Sequence, residues 1–246
     1  MNDGPGRAGG TPIGAKTRDY WWTVLFTDPI ALPLVRFLAR RRWLSPNQVS
    51  VISLVLGLSV GAWFSIGTRQ GLLIGGIAFY LAFVSDCVDG KLARTLDVRS
   101  PLGAGLDKIS DGARRGSASL GMLWWLARGT STIHFADGGP VDLLPVSIAP
   151  PRALLLMIVY VVLAYYFLEV SGADRGETLG GTRGRWAAAL ARRRLLPTPG
   201  MPDVQAVVFI LGPITGLVEP AIIVGIVMVA AGIAISVARR MRAAPS

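Results

Sequence analysis

Cysteine and histidine are close to absent from this chain: Cys87 and His134 stand alone of their types among 246 residues. A lone cysteine excludes an intramolecular disulfide, and with a lone histidine it leaves no thiolate or imidazole zinc cluster. Any metal must therefore be hard and oxygen-bound. Charge is scarce as well. Only 16% of the residues are Asp, Glu, Lys or Arg, against roughly 25% in an ordinary soluble domain. The first stretch, 1–17, is Gly-rich and polar, lacks the apolar core of a signal peptide, and is expected to be disordered. No internal repeat or low-complexity tract divides the remainder of the chain.

What is abundant is apolar sequence. The chain is 52% hydrophobic with a mean hydropathy of +0.51, a composition suited to a bilayer. Crossing a hydrocarbon core ~30 Å thick takes about 20 apolar residues per helix. Six such runs lie near 47–66, 71–92, 102–127, 151–171, 203–218 and 220–238. The third is the weakest, because Asp107, Lys108, Asp111, Arg114 and Arg115 fill its first half; Leu120, Met122, Leu123, Trp124 and Trp125 restore it. The expectation is an all-α, polytopic membrane protein with six transmembrane helices in one domain, 46–240, and a short tail at 241–246.

Residues 18–45 precede this domain as an interfacial segment. Within it Ile30, Leu34, Phe37 and Leu38 share one helical face, while Arg36 and Arg40 point away, as in a juxtamembrane amphipathic helix lying in the headgroup plane. Arg41 comes round to the apolar side but can snorkel at the helix end. Trp21, Trp22, Trp124 and Trp125 are read as interfacial anchors.

The net charge of +10 would suggest nucleic acid in a soluble chain. Here the basic residues gather at the ends of apolar runs, which points to anionic lipid headgroups and phosphate substrates and to no nucleic acid. With both termini cytoplasmic, every Lys and Arg except Arg69, Arg128 and Arg152 falls on the cytoplasmic side, as the positive-inside bias requires. An odd number of crossings would spoil that division. The expected location is the cell (cytoplasmic) membrane, with the acidic stretch 86–111 at its inner face.

Four carboxylates of that stretch stand inside apolar runs. Asp86, Asp89, Gly90, Ala93 and Arg94 repeat at i, i+3, i+4, i+7 and i+8, one face of a helix; Gly103, Asp107 and Asp111 repeat at i, i+4 and i+8 on the next. The short link between them makes the two helices antiparallel neighbours. Like charges this close repel unless a cation lies between them, and oxygen-only ligands suit Mg²⁺, Mn²⁺ or Ca²⁺. Gly90 and Gly103, lacking side chains, permit either a flat ligand against the backbone or close helix packing. Arg94 offers a fork of donors to phosphate. Lys91, Lys108, Arg114 and Arg115 fit two roles, phosphate contact or balance for the aspartates. Intramembrane carboxylates by themselves also suit a transporter or carrier with an acidic cation site.

The string as a whole resembles the signature of the CDP-alcohol phosphotransferases, D-x-x-D-G-x-x-A-R followed after a short gap by G-x-x-x-D-x-x-x-D. All eight fixed positions are filled, by Asp86, Asp89, Gly90, Ala93, Arg94, Gly103, Asp107 and Asp111. Ser45-Pro46-Asn47-Gln48-Val49-Ser50 is similar to the family's Thr-Pro-Asn segment; independently, Ser-Pro-Asn is a helix start whose free amides suit a phosphate.

The resemblance implies metal-dependent transfer of a phospho-alcohol group, most often phosphatidyl from CDP-diacylglycerol, to an acceptor hydroxyl with release of CMP. It implies one or two Mg²⁺ or Mn²⁺ ions on Asp86, Asp89, Asp107 and Asp111, with Asp111 also the catalytic base. It implies substrate contacts from Asn47, Ser50, Gly90, Ala93, Arg94, Ser100 and Gly103, membrane lipids as surroundings, and a homodimer. The resemblance stops short of the acceptor. Relatives acting on phosphorylated polyols carry a Lys-x-Arg-x-Glu-like segment where this chain has Tyr165-Tyr166-Phe167-Leu168-Glu169.

The remaining features read more plainly. Gly57-x-x-x-Gly61 and Gly71-x-x-x-Gly75 are helix-packing motifs. Cys87 lies roughly 100° around the helix from its acidic neighbours and is a packing residue. His134 falls in an extracytoplasmic loop without a role. The basic stretch 173–202, with Arg175, Arg183, Arg185, Arg192, Arg193 and Arg194, is read as a solvated cytoplasmic loop, the alternative being an acceptor-phosphate or anionic-lipid site.

Overall fold

A computed structural model describes residues 15–98, 100–128, 150–172 and 185–243. Among them every regular element is helical: α1 (Asp28–Arg41), α2 (Pro46–Ile66), α3 (Arg69–Leu96), α4 (Pro101–Ala127), α5 (Pro150–Gly172), α6 (Arg185–Arg192), α7 (Met201–Ala206), α8 (Gly212–Thr215) and α9 (Val218–Ala243). π-helical turns lead into α1 (Thr23–Thr27) and join α7 to α8 (Val207–Leu211). The expectations for the tail up to Gly14, for Arg175 and Arg183, for His134 and for 244–246 fall outside the described residues.

Local sequence explains where the helices begin and end. Ser45 caps α2 in a reciprocal box, its Oγ accepting from Gln48 N at 3.3 Å and its own N–H donating to Gln48 Oε1 at 2.8 Å, with Pro46 in the first turn. Thr68 caps α3 and Ser100 caps α4. Gly67 (φ 73°) closes α2 in the left-handed conformation that only glycine adopts freely. Gly216 (φ 82°) turns the chain into α9, slightly earlier than the break expected near 218–220.

Among the described residues, four helices are long and apolar enough to cross a membrane: Pro46–Ile66, Arg69–Leu96, Pro151–Val170 and Val218–Met241. This is a multi-pass membrane protein. The other two expected crossings are of different character. α4 has the length but carries its charges in the first half, and Met201–Thr215 is apolar but shorter. Val55, Leu58, Leu155, Val162 and Val227 are exposed on the long helices, as expected of a surface facing acyl chains.

α2 is the packing centre. α3 and α4, expected to be antiparallel neighbours, do meet where their carboxylates gather, but each approaches α2 far more extensively than they approach each other. The reason is steric: Gly57 and Gly61 let α4 sit directly on α2. A Cβ at Gly57 would come 3.0 Å from the Arg114 Cβ, and one at Gly121 would come 2.6 Å from the Gly61 Cα. Ser117 Oγ bonds across the seam, donating to Leu58 O at 2.7 Å and accepting from Gly61 N at 3.0 Å. Gly71 and Gly75 admit Trp63 and Phe64 in the same way. Both small-residue motifs therefore serve packing. On the far side Phe209 stacks on Phe79 at 5.2 Å and meets Tyr160 edge-on at 5.8 Å.

Two sequence expectations need correction. Trp125 is 1% exposed and packs beneath Gly67 inside the core, so it is no interfacial anchor, whereas Trp124 is exposed beside Arg128. In α1 the apolar residues divide between two faces. Ile30, Leu34 and Phe37 are exposed, while Leu38 joins Ala31 and Val35 against Val88 and Leu92 of α3. The side of α1 docked on α3 must be apolar too, and the Lys91–Asp28 ion pair at 3.1 Å, buried on both sides, pins it there.

Candidate active site

Three helix ends converge: the start of α2, the last turns of α3 and the start of α4. Between them lies a cavity of about 520 Å³. Asn47 and Ser50 reach it from α2; Asp86, Asp89, Gly90, Ala93 and Arg94 from α3; Gly103, Asp107 and Asp111 from α4, with Ser100 at its cap. Every residue singled out in the sequence for metal, substrate or base thus lines one space. Two helix N-termini border it, and their dipoles favour anions.

Three carboxylates come together. One oxygen each of Asp86, Asp89 and Asp107 lies within 4.8 Å of the others. Asp89 is buried and fixed by Ser50, whose Oγ donates to Asp89 Oδ2 at 2.5 Å. Asp86 Oδ1 is buried without a hydrogen-bond partner. An orphaned carboxylate oxygen beside two more carboxylates is a donor set suited to a hard divalent ion of the Mg²⁺ or Mn²⁺ type, so the residues present fit the ion that the sequence calls for.

Asp111 lines the same cavity but stands apart from this trio. Its Oδ1 accepts from Arg114 and its Oδ2 from Arg115, one turn further along α4. Arg114 also approaches Asp86 Oδ2 at 3.6 Å. Of the cations with two possible roles, Arg114 and Arg115 therefore balance aspartates, while Lys91 pairs with Asp28, outside the signature.

The glycines divide too. A Cβ at Gly90 would meet nothing closer than the Arg94 guanidinium at 3.5 Å, so its face is open to the cavity and no helix packs on it. At Gly103 a Cβ would lie 3.1 Å from Asn47 Oδ1 and 3.2 Å from Ser100 Oγ. Ser100 Oγ itself accepts from Gly103 N at 3.0 Å, shaping the start of α4.

Sequence reasoning missed one wall. Lys16, Asp19, Tyr20 and Thr23 also line the cavity, together with Pro202. This N-terminal strap is stitched to the segment before α7. Asp19 N donates to Arg194 O at 2.8 Å and Leu196 N to Asp19 O at 3.0 Å. Asp203 accepts from Trp22 N at 2.6 Å and from Gly200 N at 2.7 Å. Arg194, read as part of a solvated loop or an acceptor site, is committed to Asp28 at 3.1 Å and to the Lys16 carbonyl. Nothing periodic in 16–23 marks it, because the contacts span almost the whole chain.

Residues 43–238 match the family described as CDP-alcohol phosphatidyltransferase. Over 90 residues the chain is 39% identical to the CDP-diacylglycerol--glycerol-3-phosphate 3-phosphatidyltransferase of Mycoplasma genitalium, covering 37% of this chain and 34% of that one. Over 103 residues it is 30% identical to the phosphatidylinositol phosphate synthase of Mycobacteroides abscessus, covering 42% and 44%. The chain thus spans less than half the length of the curated relatives it matches. In fold it is similar to the Mycobacterium tuberculosis phosphatidylinositol phosphate synthase with CDP-DAG bound, at a TM-score of 0.54 and 20% identity, with 87% of this chain and 92% of that one covered. The apo form of the same synthase gives a TM-score of 0.51 at 21% identity, covering 85% and 93%. With the match running through all the long helices and the acidic string gathered around one cavity, this chain belongs to the CDP-alcohol phosphatidyltransferase family.

Proposed function

We propose that the chain transfers the phospho-alcohol group of a CDP-alcohol, CDP-diacylglycerol in the first instance, to the hydroxyl of an acceptor and releases CMP. The observation that carries this is the gathering of the complete signature around one cavity, with Asp86, Asp89 and Asp107 clustered and Gly90 open beside them. The similarity to a synthase solved with CDP-DAG supports the choice of donor.

Asp86, Asp89 and Asp107 would hold the divalent ion, which when bound supplies positive charge against the donor's diphosphate. Asn47, Arg94 and the first turns of α2 and α4 would orient that diphosphate, and the open face at Gly90 would admit the nucleoside. The acceptor oxygen bonds to the phosphorus that carries the non-nucleotide alcohol. The bond from that phosphorus to the bridging oxygen breaks, and CMP leaves with the electron pair. Asp111 receives the acceptor proton; a carboxylate offers about four lone-pair sites, so accepting from Arg114 and Arg115 leaves room for it. Positioning supplies much of the rate.

The proposed topology has six crossings, counting α4 and Met201–Thr215, with both termini and the cavity facing the cytoplasm. Arg69, Arg128 and Arg152 support it, since all three lie near the end of the bundle away from the cavity. There Arg69 bonds the Pro213 and Ile214 carbonyls, and Arg152 meets Glu219 at 2.7 Å. In a Cys87→Ala background, an impermeant maleimide on intact cells should label Gln70→Cys but reach Thr17→Cys only after lysis; the reverse pattern overturns the orientation.

The function is tested with purified protein in nanodiscs, CDP-diacylglycerol, Mn²⁺, and a panel of inositol phosphate, glycerol phosphate, serine and sugar alcohols. Release of CMP together with a new lipid phosphodiester, abolished by EDTA, is the expected result. No CMP from any CDP-alcohol, with metal-driven solute uptake into vesicles, would replace the enzyme by a carrier.

A further inference from the structure

We propose that Lys16, on the N-terminal strap, is a further substrate-binding residue whose ammonium holds a phosphoryl oxygen of the donor or of the acceptor in the cavity. The proposal deepens the reading that this cavity turns over a CDP-alcohol, and rests on it.

Lys16 stands outside the acidic string and outside the stretch 43–238 that matches the family. It nevertheless lines the same cavity, near enough for its charge to act on Asp107. Among the described residues no carboxylate lies within ion-pair distance of it. Four other cations of the site and its frame are committed. Arg114 and Arg115 hold Asp111, Lys91 pairs with Asp28, and Arg194 is divided between Asp28 and the Lys16 carbonyl. An ammonium carries three donors on a flexible stem and suits phosphate as a point charge.

What separates Lys16 from an ordinary solvated lysine is how its backbone is held. Arg194 grips the Lys16 carbonyl twice, from Nε at 3.2 Å and from Nη2 at 3.1 Å. Its remaining nitrogen, Nη1, meets Asp28 at 3.1 Å, and Asp28 is buried and paired with Lys91. A chain of charged groups thus runs from Lys91, the residue after Gly90, to the backbone of Lys16. Further along the strap, Asp19 exchanges backbone bonds with Arg194 and Leu196, and Trp21 Nε1 donates to Leu196 O at 2.7 Å. Ordering a chain segment costs conformational entropy. A lysine that served only to balance the aspartates would gain little from so fixed an anchor, because exposed charge pairs contribute little in any one geometry. Contact with a particular substrate oxygen does require one.

The test is steady-state kinetics of the purified full chain in nanodiscs, with CMP release followed while donor and acceptor are varied in turn. Lys16 is exposed, so Lys16→Gln leaves the fold in place. It should raise the KM of the substrate whose phosphate it holds by about tenfold and leave kcat nearly unchanged, as binding lost equally from ground and transition states requires. A raised KM for CDP-diacylglycerol with weaker inhibition by CMP assigns the donor phosphate. A raised KM for a phosphorylated acceptor alone assigns the acceptor's. Lys16→Arg should restore most of the loss. Arg18→Gln removes the same charge two residues along, at a position that does not line the cavity, and should change neither KM. Arg194→Gln should raise the same KM, and the double variant no further than Lys16→Gln alone, since the grip of Arg194 acts through Lys16. The Mn²⁺ activation curve should stay in place. Unchanged KM values in Lys16→Gln, an equal effect from Arg18→Gln, or a displaced Mn²⁺ curve as the sole effect would overturn the proposal while leaving the enzyme reading intact. No CMP from the unaltered protein would remove the enzyme reading and the proposal together.

Discussion

At the scale of single residues the site is governed by what each carboxylate is given as a partner. Asp89 has a neutral donor from another helix, Asp86 has an unpartnered oxygen, and Asp111 has two guanidiniums. These differences sort four identical side chains into ligands and a separately held group. The Ser50 hydroxyl is the least conspicuous of these partners, and its effect can be measured. Partners that orient a metal ligand are worth roughly 10–100-fold in affinity or activity. Ser50→Ala should therefore lower CMP release by about that factor and shift the Mn²⁺ activation curve to higher concentration. Ser65→Ala, whose hydroxyl bonds only Ala62 O at the other end of α2, should change neither. An unaltered Mn²⁺ curve for Ser50→Ala would show that Asp89 is held in place without its help. The carboxylates themselves were legible in the sequence because i, i+3, i+4 spacing fixes which side chains share a helix face. The Arg114 and Arg115 partners of Asp111 obey the same spacing. Ser50 was reached only through the resemblance and as a substrate contact, since a bond between residues 39 positions apart leaves no periodic trace.

At the scale of elements, hydropathy locates helices but does not rank their contacts. The apolar runs matched α2, α3, α5 and α9 closely because a crossing helix must be predominantly apolar over about 20 residues. That α2 would be the main neighbour of both α3 and α4 depended on which glycines face which backbone, and two Gly-x-x-x-Gly motifs in consecutive helices do not reveal that. Bilayer helices gain little from apolar burial against one another, so close backbone approach carries much of their association. The α2–α4 seam makes this testable. Gly121→Ala forces a methyl toward the Gly61 Cα, while Gly112→Ala on the same helix adds one where nothing lies within 4 Å. Overpacking of a tight contact costs about 1–3 kcal/mol, whereas alanine for an open helical glycine gains up to about 1 kcal/mol. Thermal unfolding in detergent should place Gly121→Ala below the parent chain and Gly112→Ala at or above it. Equal melting of the two variants would mean that the helices do not meet at Gly61.

At the scale of the whole molecule the cavity is lined by segments far apart in sequence as well as by the signature helices. Residues 47–111 supply most of the lining, and the strap at 16–23 with Pro202 supplies the rest. Asp203 is the staple between them, bonding the Trp22 amide across 181 positions of sequence and capping α7 through Gly200. This part of the lining was illegible beforehand, because the strap was read as tail and interfacial segment from composition and its partners are backbone groups without sequence identity. Its energetic character is plain, however. Asp203 is 8% exposed, so removing its carboxylate strands the buried Gly200 donor, at a cost of about 1–3 kcal/mol, and the part-buried Trp22 donor, at less. That cost falls on the strap first, because the long helices keep their own packing. Asp203→Ala should accordingly quicken tryptic cleavage after Lys16 and Arg18 and lower CMP release, while the melting of the helical core moves less. An isosteric Asp203→Asn, which retains one acceptor oxygen, should fall between the two. Cleavage and turnover both unchanged in Asp203→Ala would show that the strap holds its place without the staple and that the cavity does not need it as a wall.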